Sequence, residues 1–388
     1  MLSPQRVAAL STIRGGQVLR PGQQWQENEL VLGIRNGRLV DGALPGPALD
    51  ASGCLVLPGI VDFHGDAFER QIMPRPSVHF PLDLAMLETD RQLASNGITT
   101  ALHGLTYSWE GGLRGGDTAR ELLAALDSLE GRLQVDHRLH LRFECHNVEG
   151  EDQAMEWLRS GRIGLLAFNE HLPMMRKKLD KKLQDYADRA GTDGAGFIAL
   201  LEKAAARGAE VPALIERLAA ECRRLGIPMA SHDDDSLATR ARFRDLGCSI
   251  SEFPLSTEVA AMASAERSPV VCGAPNVLRG GSHVGAPRAA DLAGAGLCKI
   301  LASDYYYPAP LNAAFKLAHD EVMPFAAAWD LVSANPAQAL GLQDRGQLSE
   351  GRRADVLVVD AQEPSRPRLV ATLCAGRMVY LAEGERLL

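Results

Sequence analysis

The amino-acid sequence predicts a distorted (β/α)₈ TIM barrel joined to a small β-sandwich that is made from both chain ends. Two patterns predict this fold. From residue 58 to residue 345, short apolar runs alternate with helical stretches, as is typical of parallel strands connected by helices. Residues 1–57 and 346–388 instead contain short runs broken by glycine and proline, which predict hairpins. We therefore expect a sandwich domain from 1–57 plus 346–388 and a barrel over 58–345.

Eight apolar runs in the central region are the predicted barrel strands, and eight is the number that closes a (β/α)₈ barrel. Helical stretches or turn residues separate each run from the next. The runs are IVDFH (60–64), TTALHG (99–104), RLHLRFE (138–144), GLLAFNEH (164–171), PMASHDD (228–234), SISEFP (249–254), VVCGAPN (270–276) and KILASDYY (299–306).

Residues that can bind a metal ion end five of these runs. The C-terminal ends of parallel barrel strands meet at one face, where active sites are built. Three histidines and three carboxylates at that face suit one or two divalent ions, zinc first, with manganese or iron as alternatives. Glu144 is long enough to bridge two ions. The predicted ligands are His64, Asp66, Glu144, His171, His232 and Asp304.

Composition limits the class of protein. A chain of 388 residues with 46% apolar residues can bury a large core, as a soluble enzyme does. The net charge of −8 and the lack of a basic run argue against nucleic acid as a partner, but a local basic pocket could still bind a phosphorylated small molecule. Seven scattered cysteines without a CxxC pair fit a reducing cytoplasm. No eighteen consecutive residues are apolar, so we expect no membrane insertion, and we expect a homo-oligomer, most simply a dimer.

Two longer motifs resemble the amidohydrolase superfamily of metal-dependent hydrolases. LVLPGIVDFHGD resembles its first-strand signature, and SANPAQALGLQDRGQLSEGRRADVLVVD resembles its last helix and the return into the sandwich. That superfamily usually has His-x-His where this chain has His64-Gly65-Asp66. With His-x-Asp at this place, the chain resembles a narrower family, the PhnM diphosphatases of phosphonate metabolism. Members of that family act on α-D-ribose 1-methylphosphonate 5-triphosphate.

Further blocks between about residues 55 and 360 resemble the PhnM family, and the combination of GAPNVLRGGSH, SHDD and SDYY is specific. The resemblance implies that the six strand-end residues are metal ligands and that Asp304 and Glu144 are catalytic, with Asp304 as the proton acceptor. The blocks are MPRPSVHFP (73–81), ASNGITTALHG (94–104), HRLHLRFE (137–144), ASHDD (230–234), EFPLSTEVA (252–260), GAPNVLRGGSHVG (273–285) and LASDYYYPAPLNAAF (301–315).

The segment GAPNVLRGGSHVG has the composition of a phosphate-binding loop. Arg279 offers a forked donor that phosphate oxygens accept two at a time, and Gly280 and Gly281 let the backbone approach an anion. Arg75, held between two prolines, is a second candidate cation. The predicted substrate-binding residues are Arg75, Asn276, Arg279, Gly280, Gly281, Ser282 and His283.

The resemblance implies hydrolysis of the ribosyl triphosphate to the 5-phosphate and diphosphate. Two other functions stay open, an amidohydrolase acting on a cyclic amide or N-acyl bond, and a non-catalytic barrel that binds a phosphorylated ligand. CHNVEG after Glu144 and TYSWEGGLRGGD at 106–117 differ from the family's usual mouth loops. Such loops tune substrate specificity on this scaffold.

Overall fold

The structure is a computed structural model that describes residues 10–22, 24–26, 31–282 and 285–388. Its strands are β1 (Thr12–Arg14), β2 (Gln17–Arg20), β3 (Gln24–Gln26), β4 (Val31–Arg35), β5 (Arg38–Asp41), β6 (Ala48–Asp50), β7 (Leu55–Pro58), β8 (Ile60–Gly65), β9 (Ile98–Tyr107), β10 (Asp136–Glu144), β11 (Ile163–Asn169), β12 (Met229–His232), β13 (Ile250–Glu252), β14 (Val270–Gly273), β15 (Cys298–Ala302), β16 (Val356–Asp360), β17 (Arg368–Cys374) and β18 (Arg377–Leu381).

The α-helices follow the barrel strands in the chain. They are α1 (Glu69–Ile72), α2 (Leu82–Ser95), α3 (Gly116–Ser128), α4 (Glu151–Arg159), α5 (Leu172–Ala190), α6 (Gly194–Ala206), α7 (Val211–Leu225), α8 (Leu237–Asp245), α9 (Thr257–Ala265), α10 (Ala274–Arg279), α11 (Ala289–Gly294), α12 (Ala309–His319), α13 (Phe325–Asp330) and α14 (Ala334–Ala339). Among the residues described, no helix is long and apolar enough to cross a membrane.

The barrel consists of the eight strands β8 to β15, which lie side by side in chain order and pair in parallel. The predicted eight strands and the barrel are therefore confirmed. Alternate residues point into the barrel and form a buried apolar plug that includes Phe63, Leu165, Ile250 and Ile300. The plug fills the interior, which leaves the C-terminal mouth as the place for a site.

The barrel is distorted where its first and last strands meet. The backbone N–H of Val61 donates to the carbonyl of Val332 at 2.9 Å, and the N–H of Leu301 donates to the carbonyl of Leu331 at 2.8 Å. The turn between α13 and α14 thus stands between Val61, near the start of β8, and Leu301, near the end of β15. These hydrogen bonds satisfy backbone groups that a regular barrel would pair strand to strand.

At the mouth, β8 and the residues that follow β15 do pair directly. The N–H of Asp304 donates to the carbonyl of His64 at 2.8 Å, and the N–H of Asp66 donates to the carbonyl of Asp304 at 2.9 Å. Below them, Asp62 accepts bonds from the backbone and the hydroxyl of Ser303 at 2.8 and 2.6 Å. The barrel therefore closes where the predicted ligands of its first and last strands lie.

The two chain ends form a separate domain of two sheets, as predicted. One sheet has the order β5-β4-β1-β6, and the other has the order β18-β17-β16-β7-β2-β3, which joins strands from both ends. Buried residues of both ends, such as Ile13, Val56 and Val358, share one core. We propose boundaries for this domain after residue 57 and before residue 346. Residues 1–9 of it lie outside the described residues.

Candidate active site

A cavity of about 190 Å³ opens at the C-terminal mouth of the barrel. The ends of β8, β12 and β14, the residues after β15, and the segment around α10 form its walls. Several predicted site residues lie on it together. They are His64, His232, Asn276, Arg279, Gly281, Ser282 and Asp304, and their neighbours in the wall include Arg142, Asp233, Phe253 and Tyr305.

His64, His232 and Glu252 form a buried group of metal-binding side chains whose ligand atoms lie within 4.8 Å of one another. Oε1 of Glu252 lies 2.9 Å from Nδ1 of His64, and Oε2 lies 3.9 Å from Nε2 of His232. The ring of Phe253 packs edge-on against both imidazoles. Burial, followed by the nearby Arg142, holds the pKa of His64 well below its usual value, so this imidazole is neutral and able to bind a cation.

A second group joins His171, His232 and Asp233. The Asp233 carboxylate lies 3.5 Å from Nε2 of His171 with one oxygen and 3.5 Å from Nδ1 of His232 with the other. Asp233 reaches both because its φ is 58°, a left-handed conformation that residues other than glycine rarely adopt. Its backbone N–H is fixed by a 2.9 Å bond to the carbonyl of Glu252.

Glu144, at the end of β10, anchors His171. Its Oε1 lies 2.5 Å from Nδ1 of His171, and its Oε2 accepts the backbone N–H of His171 at 3.4 Å. Burial alone would raise the pKa of Glu144, but the contact with His171 outweighs it and lowers the pKa. Burial alone would lower the pKa of His171, but the carboxylates of Glu144 and Asp233 raise it to about 9. Glu144, His171 and Asp233 thus form one charged chain, which reaches the cavity at Asp233.

Arg142 places a cation among these groups, and it is not among the site residues predicted from the sequence. Its Nη1 lies 3.2 Å from Oδ2 of Asp66, and its Nη2 lies 3.4 Å from Nε2 of His232. The residue is only 6% exposed, so water screens its charge weakly. The carboxylate of Asp66 therefore contacts the guanidinium of Arg142, whereas the imidazole of His64, two residues earlier, contacts the carboxylate of Glu252.

Asp304 lies on the cavity wall beside His64, with a φ of 55°. A Cβ atom at Gly273 would lie 3.1 Å from its Oδ2, so glycine at the end of β14 makes room for this carboxylate. Burial and the nearby carboxylate of Asp66 raise the pKa of Asp304 to about 7, against the opposing effect of Arg142. A carboxylate with a raised pKa at a cavity wall is suited to accept a proton.

The donor set fits a divalent metal ion. Oε2 of Glu252 and Nδ1 of His232 are buried without a hydrogen-bond partner in the part of the chain that the structure describes. A Cβ atom at Gly104 would lie 3.3 Å from Nε2 of His64, so glycine keeps the space beside that nitrogen open. Two imidazoles and a carboxylate in each group match the ligands that zinc, manganese and iron accept.

The segment after β14 forms a short helix, α10, where a loop was expected. Gly280 ends it with a φ of 75°, which explains a glycine there without reference to a ligand. Both amide atoms of Asn276 bond to backbone, Nδ2 to the carbonyl of Pro287 and Oδ1 to the N–H of Ala289. Arg279 and Gly281 remain at the cavity, and a Cβ atom at Gly281 would meet nothing within 4 Å.

Arg75 and Gly280 are the described substrate-binding predictions that do not line the cavity. Arg75 is exposed in the turn after α1 and is absent from the cavity wall. His283 lies outside the described residues. Conversely, Glu252, Asp233 and Arg142 belong to the site, and none of these three was among the site residues predicted from the sequence.

The chain is similar in sequence to proteins of a known family. A model described as the amidohydrolase family matches residues 285–380. The α-D-ribose 1-methylphosphonate 5-triphosphate diphosphatase of Escherichia coli (strain K12) is 35% identical over 356 residues, covering 87% of this chain and 93% of that protein.

Two solved structures share the fold. The 5-methylcytosine deaminase from Klebsiella pneumoniae liganded with phosphonocytosine has a TM-score of 0.60 at 17% identity, covering 96% of this chain and 98% of that one. N-isopropylammelide isopropylaminohydrolase from Burkholderia multivorans ATCC 17616 has a TM-score of 0.60 at 18% identity, covering 96% and 100%. At such identities they show the fold alone. From the identity and coverage of the Escherichia coli relative, the chain belongs to the α-D-ribose 1-methylphosphonate 5-triphosphate diphosphatase (PhnM) family of amidohydrolases and is a metal-dependent hydrolase.

Proposed function

We propose that the protein hydrolyses α-D-ribose 1-methylphosphonate 5-triphosphate to the 5-phosphate and diphosphate in phosphonate catabolism. One observation supports this most directly. A single cavity joins the buried imidazoles and carboxylates to Arg279, whose forked guanidinium suits phosphate oxygens. A cyclic amide without a charged group would give that arginine no anion to bind.

The ligands proposed for the metal are the predicted six residues with two additions. Glu252 joins His64 and His232 in one donor set, and Asp233 joins His171 and His232 in the other. Asp66, Glu144 and Asp304 lie outside these two sets and are the remaining proposed ligands. We propose one or two ions, with zinc as the ion that this mixture of nitrogen and oxygen donors suits best. When bound, such an ion lowers the pKa of water and stabilises charge on phosphate oxygens.

The chain's own residues account for the proton and for the phosphate charge. Asp304 takes the proton from the attacking water, whose oxygen forms a bond to the phosphorus next to the ribose 5-oxygen. The bond from that phosphorus to the bridging oxygen breaks, and diphosphate leaves with the electron pair. Arg142 and Arg279 face the phosphate oxygens from the floor and the rim. Glu144 contributes by holding His171 in place.

The remaining phosphate contacts are assigned to the segment after β14. Gly281 and Ser282 lie on the cavity wall beside Arg279 and can present donors to the substrate. Asn276 supports this segment through its bonds to backbone, and Gly280 supports it through the end of α10. The roles of Arg75 and His283 stay predictions of the sequence.

Turnover assays test the function. Purified protein loaded with zinc, manganese or iron should release diphosphate from the ribosyl triphosphate, measured by a coupled diphosphate assay. A panel of hydantoins and N-acyl amino acids should give no product. Amide hydrolysis with no diphosphate release would move the function to the amidohydrolase alternative, and binding of a phosphorylated ligand without any turnover would support a non-catalytic barrel.

The homodimer and the cytoplasmic location stay predictions. Light scattering of the protein as it elutes from a size-exclusion column measures its mass directly. The measurement would decide between the monomer of 41.8 kDa and a dimer. All seven cysteines are buried and free, so the fold makes no use of a disulfide bond.

A further inference from the structure

Tyr305, next to Asp304 on the cavity wall, stands between two arginines, of which Arg279 also lines the cavity. The guanidinium of Arg70 lies over one face of its ring, with Cζ at 5.6 Å from the ring centroid. The hydroxyl of Tyr305 accepts a hydrogen bond from Nη1 of Arg279 at 3.2 Å. Arg70 comes from α1 after the first barrel strand, and Arg279 comes from α10 after the seventh. One ring therefore links cations from distant parts of the chain.

Both arginines are exposed, and neither has a carboxylate partner within the described ranges 10–22, 24–26, 31–282 and 285–388. Two other arginines differ in this respect. Arg114 pairs with Glu69, and Arg189 pairs with Glu110. The charges at Tyr305 are thus available to an anion from solvent.

Contacts made by its neighbour on α1 hold Arg70 in position. Glu69, its neighbour on α1, accepts two hydrogen bonds from Arg114 at 3.1 and 3.0 Å, and both side chains of this pair are largely buried. The ring of Tyr305 also holds the guanidinium of Arg70 through a cation–π contact. A cation held in this way loses less side-chain entropy when it binds a ligand than one on a free surface.

From this arrangement we infer that Arg70 and Arg279, on either side of Tyr305, bind the two outer phosphates of a triphosphate substrate, which leave as diphosphate. The inference rests on the proposed function. In that reaction the innermost phosphate must lie beside Asp304, and Tyr305 is the next residue along the wall. The chain continuing outwards from that phosphate therefore reaches the two arginines. Arg70 is a binding residue that sets the preference for a triphosphate over a monophosphate.

Titration calorimetry with metal-loaded protein tests the subsite without turnover. Arg70→Ala should weaken binding of inorganic diphosphate by about tenfold or more, the loss expected for a hydrogen bond to a charged group. Binding of inorganic orthophosphate should stay the same, because a single phosphate beside Asp304 does not reach Arg70. Arg91→Ala is the matched control, since Arg91 is an exposed arginine on α2 that pairs with Glu88. Its affinity for diphosphate should equal that of the wild type.

Two variants of the ring separate its contacts. Tyr305→Phe keeps the face for Arg70 but loses the hydroxyl for Arg279, while Tyr305→Leu loses both, and we expect a larger loss of diphosphate affinity from the second. Equal diphosphate affinity in wild type and Arg70→Ala, at equal metal content, overturns the inference. If diphosphate binding depends on Arg70 but the ribosyl triphosphate is not hydrolysed, the subsite stands and the proposed function fails.

Discussion

Oε1 of Glu252 lies 2.9 Å from Nδ1 of His64, and both side chains are buried beneath the cavity. A carboxylate at Nδ1 accepts the proton there, which leaves Nε2 of His64 with its lone pair free. Gly104 keeps the space beside that nitrogen open. Oε2 of Glu252 lies 3.8 Å from Nε2 of His140 and 3.9 Å from Nε2 of His232, beyond hydrogen-bond distance, so three imidazoles surround this carboxylate and of these only His64 bonds to it.

Glu252→Gln should therefore weaken metal binding by about 10–100-fold, the effect typical of losing a group that orients a ligand, and by more if Glu252 is itself a ligand. Metal content is measured by mass spectrometry after dialysis against graded chelator. Glu258→Gln is the control, because Glu258 is exposed in the first turn of α9. Should the Glu252→Gln variant retain metal as the wild type does, Glu252 has no part in the metal centre.

The sequence contained a signal for Glu252. The sixth predicted strand, SISEFP, has Glu252 two residues before its end, just as KILASDYY has Asp304, yet only Asp304 was among the predicted ligands. In the structure β13 ends at Glu252, and its register pairs Glu252 directly with His232. Neighbouring parallel strands of similar length would have placed these two residues side by side.

The eight strands and the sandwich followed from local patterns, because burial imposes those patterns on each segment separately. Arg142 could have been found by strand periodicity, since it lies two residues before Glu144 and so faces the same way. The placement of Asp233 could not have been found from strand periodicity, because it depends on a left-handed backbone conformation at that residue. The turn at Leu331 and Val332 that separates β8 from β15 also depends on contacts remote in sequence.

Arg142→Met should destabilise the metal-free protein by about 3 kcal/mol, because it leaves the carboxylate of Asp66 facing other carboxylates without its buried cation. Added zinc should restore part of this loss, since the ion supplies positive charge at the same place. Urea denaturation with and without chelator measures both effects. Arg138→Met, on the same strand but paired with Asp136 near the surface, is the control. Equal losses in the two variants would contradict a special role for Arg142.

Asp304→Asn should reduce turnover on the ribosyl triphosphate by about 10²–10⁴-fold, the range expected when a general base is lost. Asparagine has nearly the same shape but cannot accept the proton. Steady-state rates are compared at equal metal content, measured in parallel. If the variant keeps its metal and nearly all its turnover, Asp304 serves only to hold the site together and the proton leaves by another residue.

His103, on β9, points away from the barrel interior and begins a buried chain of hydrogen bonds. Its Nε2 lies 2.8 Å from Nδ1 of His137, whose Nε2 lies 3.0 Å from Asp90. With the proton of the neutral His137 ring on Nε2, beside Asp90, its Nδ1 accepts a hydrogen bond from Nε2 of His103. The other nitrogen of His103, Nδ1, is buried without a partner within the described part of the chain. Burial, then the adjacent His137, holds the pKa of His103 well below its usual value.

Since the folded protein keeps His103 neutral while the unfolded chain protonates it, the folded state binds fewer protons at low pH. Stability from this histidine is therefore present above about pH 6.5 and is lost as pH falls, by up to about 1.4 kcal/mol per pH unit. His103→Gln, which can still donate to His137, should make the free energy of unfolding less dependent on pH between about 7 and 5. Urea denaturation at each pH measures this, with the exposed His319→Gln as control. The same slope in His103→Gln and wild type would show that His103 becomes protonated in the folded protein.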